Sequence, residues 1–103
     1  MAGDGFVAVL VIELHFPDAA SLKAKRKDLS SIKAQLHGRL GAAVAETGHQ
    51  DAWQRSTLTA ALTGGSLATL TATVDNVQRW LEARWPEGVR VERLLASVED
   101  LRQ

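Results

Sequence analysis

Basic side chains that could bind an anion are concentrated in one short segment of this sequence. Six of the twelve Lys and Arg residues lie within residues 21–40, and Asp28 is the only acidic residue among them. A basic patch on a chain of zero formal net charge suggests an anionic partner such as RNA or phosphate. A solvated helix face without a partner is the alternative. The residues that crowd the start of this segment are Lys23, Lys25, Arg26 and Lys27.

Lys25 differs from the other three in its position on the predicted helix. At about 100° per residue, it falls beside the apolar stripe that begins with Leu22 and Leu29, rather than opposite it. A buried ammonium group needs an acceptor or a route to water. We therefore expect Lys25 to pair with a carboxylate at the end of the sheet, such as Glu13 or Asp51.

The segment 5–16 is the element that must position these groups. It is the longest apolar run of the chain, and its even-numbered side chains from residue 6 onward are all apolar. A strand with one fully apolar face and one mostly apolar face lies in the middle of a sheet. A helix is the competing interpretation, which β-branched residues on both faces weaken. The odd-numbered face carries Val7, Val9, Val11, Glu13 and His15.

The remaining elements complete a known arrangement. The order strand, helix, strand, strand, helix, strand predicts a ferredoxin-like α+β fold, βαββαβ, with a four-stranded antiparallel sheet and both helices on one face. The first and third strands should be central. We expect one domain over residues 1–103, with residues 1–4 and 97–103 flexible. The later elements are predicted as a helix from the N-cap Ser21 to Gly38, strands over 42–48, 54–63 and 89–95, and a helix from the N-cap Ser66 to Trp85.

This topology brings distant charged residues to one end of the sheet. The first strand ends where the first helix begins, and the antiparallel third strand starts at the same end. On the face without helices, the alternation of side chains places Glu13 and His15 beside Trp53 and Arg55. We call this set the charged rim. It consists of Glu13, His15, Lys23, Lys25, Arg26, Asp51, Trp53 and Arg55.

The other half of the open sheet face is predicted to be apolar. Its valines would leave a hydrophobic patch exposed in a monomer. We expect a homodimer or a partner protein to cover this patch, or alternatively the C-terminal tail to fold over it. The residues of this predicted interface are Val7, Val9, Val11, Thr57 and Thr59.

Catalysis, metal binding and cofactor binding are not expected. His15 could act with Glu13 as an acid–base pair, but a surface histidine beside a glutamate is usually idle. Together, His15, His49 and Asp51 match no known metal-ligand spacing. The absence of cysteine excludes disulfides and thiolate chemistry. The small-enzyme interpretation, through His15 and Glu13, therefore ranks third.

The leading prediction is a small cytoplasmic binding module. No apolar segment reaches the roughly 18 residues of a membrane span, and none has the features of a signal peptide. Base stacking on the sheet is disfavoured because the first strand presents no Phe or Tyr outward, whereas backbone contact by the basic helix start is compatible with RNA. An interaction or dimerisation domain without nucleic acid is the alternative.

Two stretches, VLVIELHFPDAASLKAKRKDLSSIKAQL and VAETGHQDAWQRSTLTAAL, resemble the YlxP-like family, a bacterial domain of unknown function. The resemblance implies a ferredoxin-like fold. It also implies a gene context near translation initiation factor two and ribosome-binding factor A, and it brings no catalytic residue. The motif residues Glu46 and Gln50 join the charged rim as supporting residues. The matching motifs are Ser21-Leu22-Lys23 with Lys25-Arg26, then Glu46, Gln50-Asp51 and Trp53-Gln54-Arg55.

Overall fold

The computed structural model describes residues 5–85 and 88–102. The predicted order of strands and helices is confirmed, with a short 3-10 helix added near the C-terminus. The expectation that residues 1–4 and 103 are flexible lies outside the described residues. The elements are β1 (Phe6–His15), α1 (Leu22–Gly38), β2 (Ala43–Gly48), β3 (Arg55–Gly64), α2 (Leu67–Arg84), β4 (Val89–Ser97) and the 3-10 helix (Glu99–Leu101).

The four strands form one antiparallel sheet in the order β2-β3-β1-β4. β1 pairs with β3 from Phe6 to His15, and with β4 from Phe6 to Leu14. The prediction that β1 and β3 are the central strands is therefore confirmed, as is the ferredoxin-like α+β fold.

The core lies between one face of the sheet and the two helices. The even-numbered residues of β1 are buried there, as the alternation predicts, together with the apolar stripes of both helices. Each large apolar side chain buried in this way stabilises the fold by roughly 1.5–3 kcal/mol. Neither helix within residues 5–85 and 88–102 has the length and apolarity to span a membrane. The helix stripes are Leu29, Ile32 and Leu36 in α1, and Leu70, Val74, Val77 and Leu81 in α2.

Both predicted helix N-caps are confirmed. Ser21 Oγ accepts a hydrogen bond from the Ala24 N–H at 3.1 Å, and Ser66 Oγ accepts one from the Thr69 N–H at the same distance. Each bond satisfies one of the backbone donors that a helix leaves open in its first turn. These caps fix where each helix starts relative to the strand before it.

The C-terminal segment has more regular structure than the sequence indicates. β4 continues to Ser97. The Ser97 N–H donates to Asp100 Oδ2 at 3.0 Å, and the Ser97 hydroxyl oxygen accepts from the Asp100 N–H at 3.0 Å. The Val98 N–H donates to the Gly5 carbonyl at 3.0 Å. The tail, which the sequence analysis offered as a cover for the apolar patch, therefore turns at the end of the sheet where β1 begins.

Candidate functional site

The predicted charged rim lies at the end of the sheet where β1 ends and both α1 and β3 begin. His15 and Arg55 are direct partners across β1 and β3, as the alternation predicts. Glu13 lies on the open face between Thr57 of β3 and Arg90 of β4. The indole of Trp53 belongs to the loop before β3 and is 54% exposed.

The Glu13 carboxylate is held by a neighbouring strand. Its two oxygens accept from Thr57 Oγ1 at 2.9 and 3.0 Å. No hydrogen bond or ion pair connects Glu13 with His15 in the described ranges. The same ranges contain no group of three His, Asp or Glu side chains that could hold a metal ion.

Lys25 is fully buried and its partner differs from the expected one. Its Nζ lies 3.3 Å from Glu46 Oε2, so the partner is a carboxylate, as expected, but the two residues named as examples, Glu13 and Asp51, are wrong. The reason is the way the layers pack. The helix α1 lies over the edge strand β2, and Glu46 points from β2 to the helix side, where its side chain is only 10% exposed.

Backbone carbonyls of the β2–β3 loop complete the surroundings of Lys25. The ammonium group donates to the carbonyls of His49 at 2.6 Å and Ala52 at 2.7 Å, with Gln50 O at 3.4 Å. The Glu46 carboxylate also accepts from the buried hydroxyl of Ser56 at 2.9 Å. Lys25 therefore belongs to the interior of the molecule and is not available for direct contact with a partner.

The other basic residues at the start of α1 are exposed. Arg26 reaches towards the same loop, with its guanidinium 3.5 Å from Gln50 O and 4.0 Å from Glu46 Oε1. The exposed side chains of Lys23 and Lys27 lie one helical turn apart on α1. Gln50 and Asp51 are exposed in the loop.

A depression with a volume of about 620 Å³ lies on the open face at this end of the sheet. The guanidinium groups of Arg55 and Arg90 make no ion pair or hydrogen bond within the described residues. Arg90 was not among the predicted site residues, although alternation along β4 places it on the same face as Glu92 and Leu94 and could have revealed it. The depression is lined by Val11, Glu13, His15, His49, Arg55, Arg90, Val91 and Glu92.

A second depression of about 620 Å³ lies on the helix side of the same end. Phe16, Ala24 and Trp85 line it together with Asp28 and Arg84. The Arg84 guanidinium carbon lies 5.1 Å from the centroid of the Trp85 ring. This depression was not predicted because it lies between the start of α1 and the end of α2, whose spacing depends on how each helix packs on the sheet.

The opposite half of the open face is apolar. Val9 lies between Ala61 and Leu94, and Val7 has Ala96 on its β4 side, whereas Val11 has Glu92 on that side and borders the charged half. Leu94 is 50% exposed. Two predicted interface residues, Thr57 and Thr59, make hydrogen bonds within the sheet, to Glu13 and to Thr47.

Comparison with known proteins gives the family. A model of a protein family of unknown function, DUF503, matches residues 7–99. The chain belongs to the DUF503 family. The resemblance seen in the sequence motifs is thereby confirmed, since the chain is 29% identical to the uncharacterized protein YlxP of Bacillus subtilis strain 168. That match extends over 82 residues, which are 80% of this chain and 85% of YlxP.

The fold of this DUF503 domain also occurs among solved structures. The de novo designed protein Foldit4 superposes with a TM-score of 0.57, at 12% sequence identity, over 90% of this chain and 97% of the designed one. At this identity the likeness concerns the fold alone. The DUF503 match and the YlxP relative bring no activity with them.

Proposed function

We propose that this DUF503 domain is a non-enzymatic module that binds an RNA backbone at the end of the molecule that carries the charged rim. The observation that carries the proposal is the pair of arginines, Arg55 and Arg90, which line one depression without a partner in the described residues. A guanidinium group is always charged and matches the geometry of a phosphate with two parallel donors.

Other exposed side chains at the same end extend this surface. Lys23, Arg26 and Lys27 add three cations on the start of α1. Trp53 offers an exposed ring on which a base can stack. The gene context implied by the family resemblance makes ribosomal particles a suitable natural probe beside a simple RNA.

The proposal is tested by salt-dependent binding of a labelled uridine homopolymer and of purified ribosomal particles. On a single strand, each phosphate contact contributes about 0.7 to the magnitude of the slope of log affinity against log salt. We expect Arg55→Gln and Arg90→Gln to weaken RNA binding several-fold and to reduce the magnitude of this slope by about 0.7 each.

Arg39→Gln is the matched control, since it removes the same charge from an exposed site at the far end of α1. We expect its affinity and slope to equal those of the wild-type domain. Absence of binding at low salt, or an equal loss in the Arg39→Gln variant, would contradict the proposal.

A second candidate function is association through the open sheet face. The observation that favours it is the exposed Leu94 beside the partly exposed β1 valines, which together form an apolar surface. A second copy of the chain, packed sheet to sheet, would cover this surface. This association would use the apolar half of the face and leave the arginine-lined half to RNA.

A further inference from the structure

The ammonium group of Lys25 has no donor left for an external partner. Lysine offers three N–H donors, and its acceptors here are the carbonyls of His49 and Ala52, with Glu46 Oε2 and the Gln50 carbonyl close by. The side chain is 0% exposed. Any effect of Lys25 on binding must therefore be indirect, through the residues of this chain that its ammonium group contacts.

The loop 49–52 is wrapped around this cation. It follows an irregularity in the pairing of β2 with β3 between Glu46 and Gly48, and it begins at His49 with a φ of 58°. Only one backbone hydrogen bond closes the turn, from the Ala52 N–H to the His49 carbonyl at 3.1 Å. Three carbonyl dipoles converge on one point, an arrangement that would be repulsive without a positive charge between them.

Gly48 permits the end of β2 to lie close to Thr57 of β3. A Cβ on Gly48 would lie 3.0 Å from Thr57 Oγ1 and 3.1 Å from Thr57 Cβ, which is tighter than ordinary packing. The end of β2 can therefore lie against Thr57 of β3, and the loop that follows brings its carbonyls to the Lys25 ammonium group.

We propose that Lys25, together with Glu46, is a positioning residue that fixes the β2–β3 loop and thereby presents Trp53 and Arg55 to the RNA. Trp53 directly follows Ala52, the last carbonyl bound by the ammonium group, and Arg55 begins β3 two residues later. The inference rests on the proposed function. Its particular claim is that Lys25 acts on affinity without contacting a phosphate.

The test combines hydrogen exchange with the salt dependence of binding to the labelled uridine homopolymer. We expect Lys25→Met to accelerate amide exchange within residues 49–54 and to weaken affinity several-fold, while the salt slope stays at the wild-type value. The matched control is Lys23→Met, an exposed lysine on the same helix turn. It should reduce the magnitude of the slope by about 0.7 and leave exchange in the loop unchanged.

Two results would overturn the inference. One is a salt slope reduced in Lys25→Met as much as in Lys23→Met, which would make Lys25 a phosphate contact. The other is unchanged exchange in residues 49–54 of Lys25→Met. If that variant fails to fold, Glu46→Gln decides, because it keeps the size of the side chain and an acceptor for Ser56; it should accelerate exchange at the same amides.

The exchange measurement needs no RNA, so it separates this inference from the proposed function. A wild-type domain that binds neither probe would refute RNA binding. In that case, faster exchange confined to the loop of Lys25→Met would still show that the lysine holds the loop.

Discussion

Ser56 and Glu46 show how a buried charge is accommodated at the level of single residues. Ser56 is 0% exposed, and its hydroxyl donates to the same Glu46 oxygen that faces Lys25. The described residues contain no buried side-chain nitrogen or oxygen without a hydrogen-bond partner. The ionic group is therefore compatible with its apolar surroundings because each polar atom has a partner.

A substitution at Ser56 should measure one part of this network. We expect Ser56→Ala to lower the free energy of unfolding by roughly 1.5–3 kcal/mol, since it removes a hydrogen bond to the Glu46 carboxylate, which still pairs with Lys25. Urea unfolding followed by circular dichroism is the measurement. Ser30→Ala, at an exposed site inside α1, is the control and should be neutral or slightly stabilising. Equal stability of the two variants would contradict the role of the Ser56 bond.

At this scale the sequence predicts an unusual environment but not its details. Helical geometry places Lys25 beside the apolar stripe, and the structure confirms its burial. The choice of Glu46 as partner depends on which strand lies under α1 and on the local bulge of β2, and neither follows from residue spacing. The carbonyl ligands were missed for a similar reason, because backbone groups carry no signal in a sequence.

At the scale of elements, the hydrophobic period predicts which segments are strands and helices, and the capping residues predict where the helices start. The ends of the strands, in contrast, depend on pairing with neighbouring strands. Ser21 and Ser66 mark the helix starts correctly. The end of β4 at Ser97 was missed because Ala96 and Ser97 have little strand character of their own. They are strand residues because they lie opposite Val7 and Phe6 of β1.

The cap at Ser21 should matter to α1 because the first turn of that helix contains no acidic residue. We expect Ser21→Ala to cost about 1 kcal/mol of stability. Ser21→Asp should be at least as stable as the wild type, since a carboxylate can both cap the helix and oppose the nearby cations. Thermal unfolding of the three proteins is the measurement. A wild-type melting temperature in Ser21→Ala would show that the cap contributes nothing.

At the scale of the whole molecule, one layer of helices covers only one face of the sheet. The molecule is elongated, with extents of 52 × 27 × 21 Å and a radius of gyration of 14.7 Å, against about 13 Å for a compact chain of this size. The division of the open face into an apolar and a charged half was predictable from the alternation in β1. Its arginine-lined depression was not, because it needs the register between β1 and β4.

Self-association through the apolar half can be tested directly. We expect sedimentation at micromolar concentration to detect a dimer, and Val9→Lys to give a monomer because a lysine would have to be desolvated between the two sheets. Leu67→Lys is the control, since this exposed leucine starts α2 on the other side of the molecule. It should leave the dimer intact. A monomeric wild-type domain that binds no hydrophobic dye would rule out this association.

The contacts of Lys25 join parts of the chain that are 24 to 27 positions apart. A peptide consisting of β2, β3 and their connection would lack the cation around which that connection is wrapped. Such a fragment would therefore not reproduce the geometry at Trp53, however well its two strands paired. In the structure that geometry accompanies the docking of α1 on the sheet, which ties the proposed RNA-binding surface to the cooperative folding of the domain.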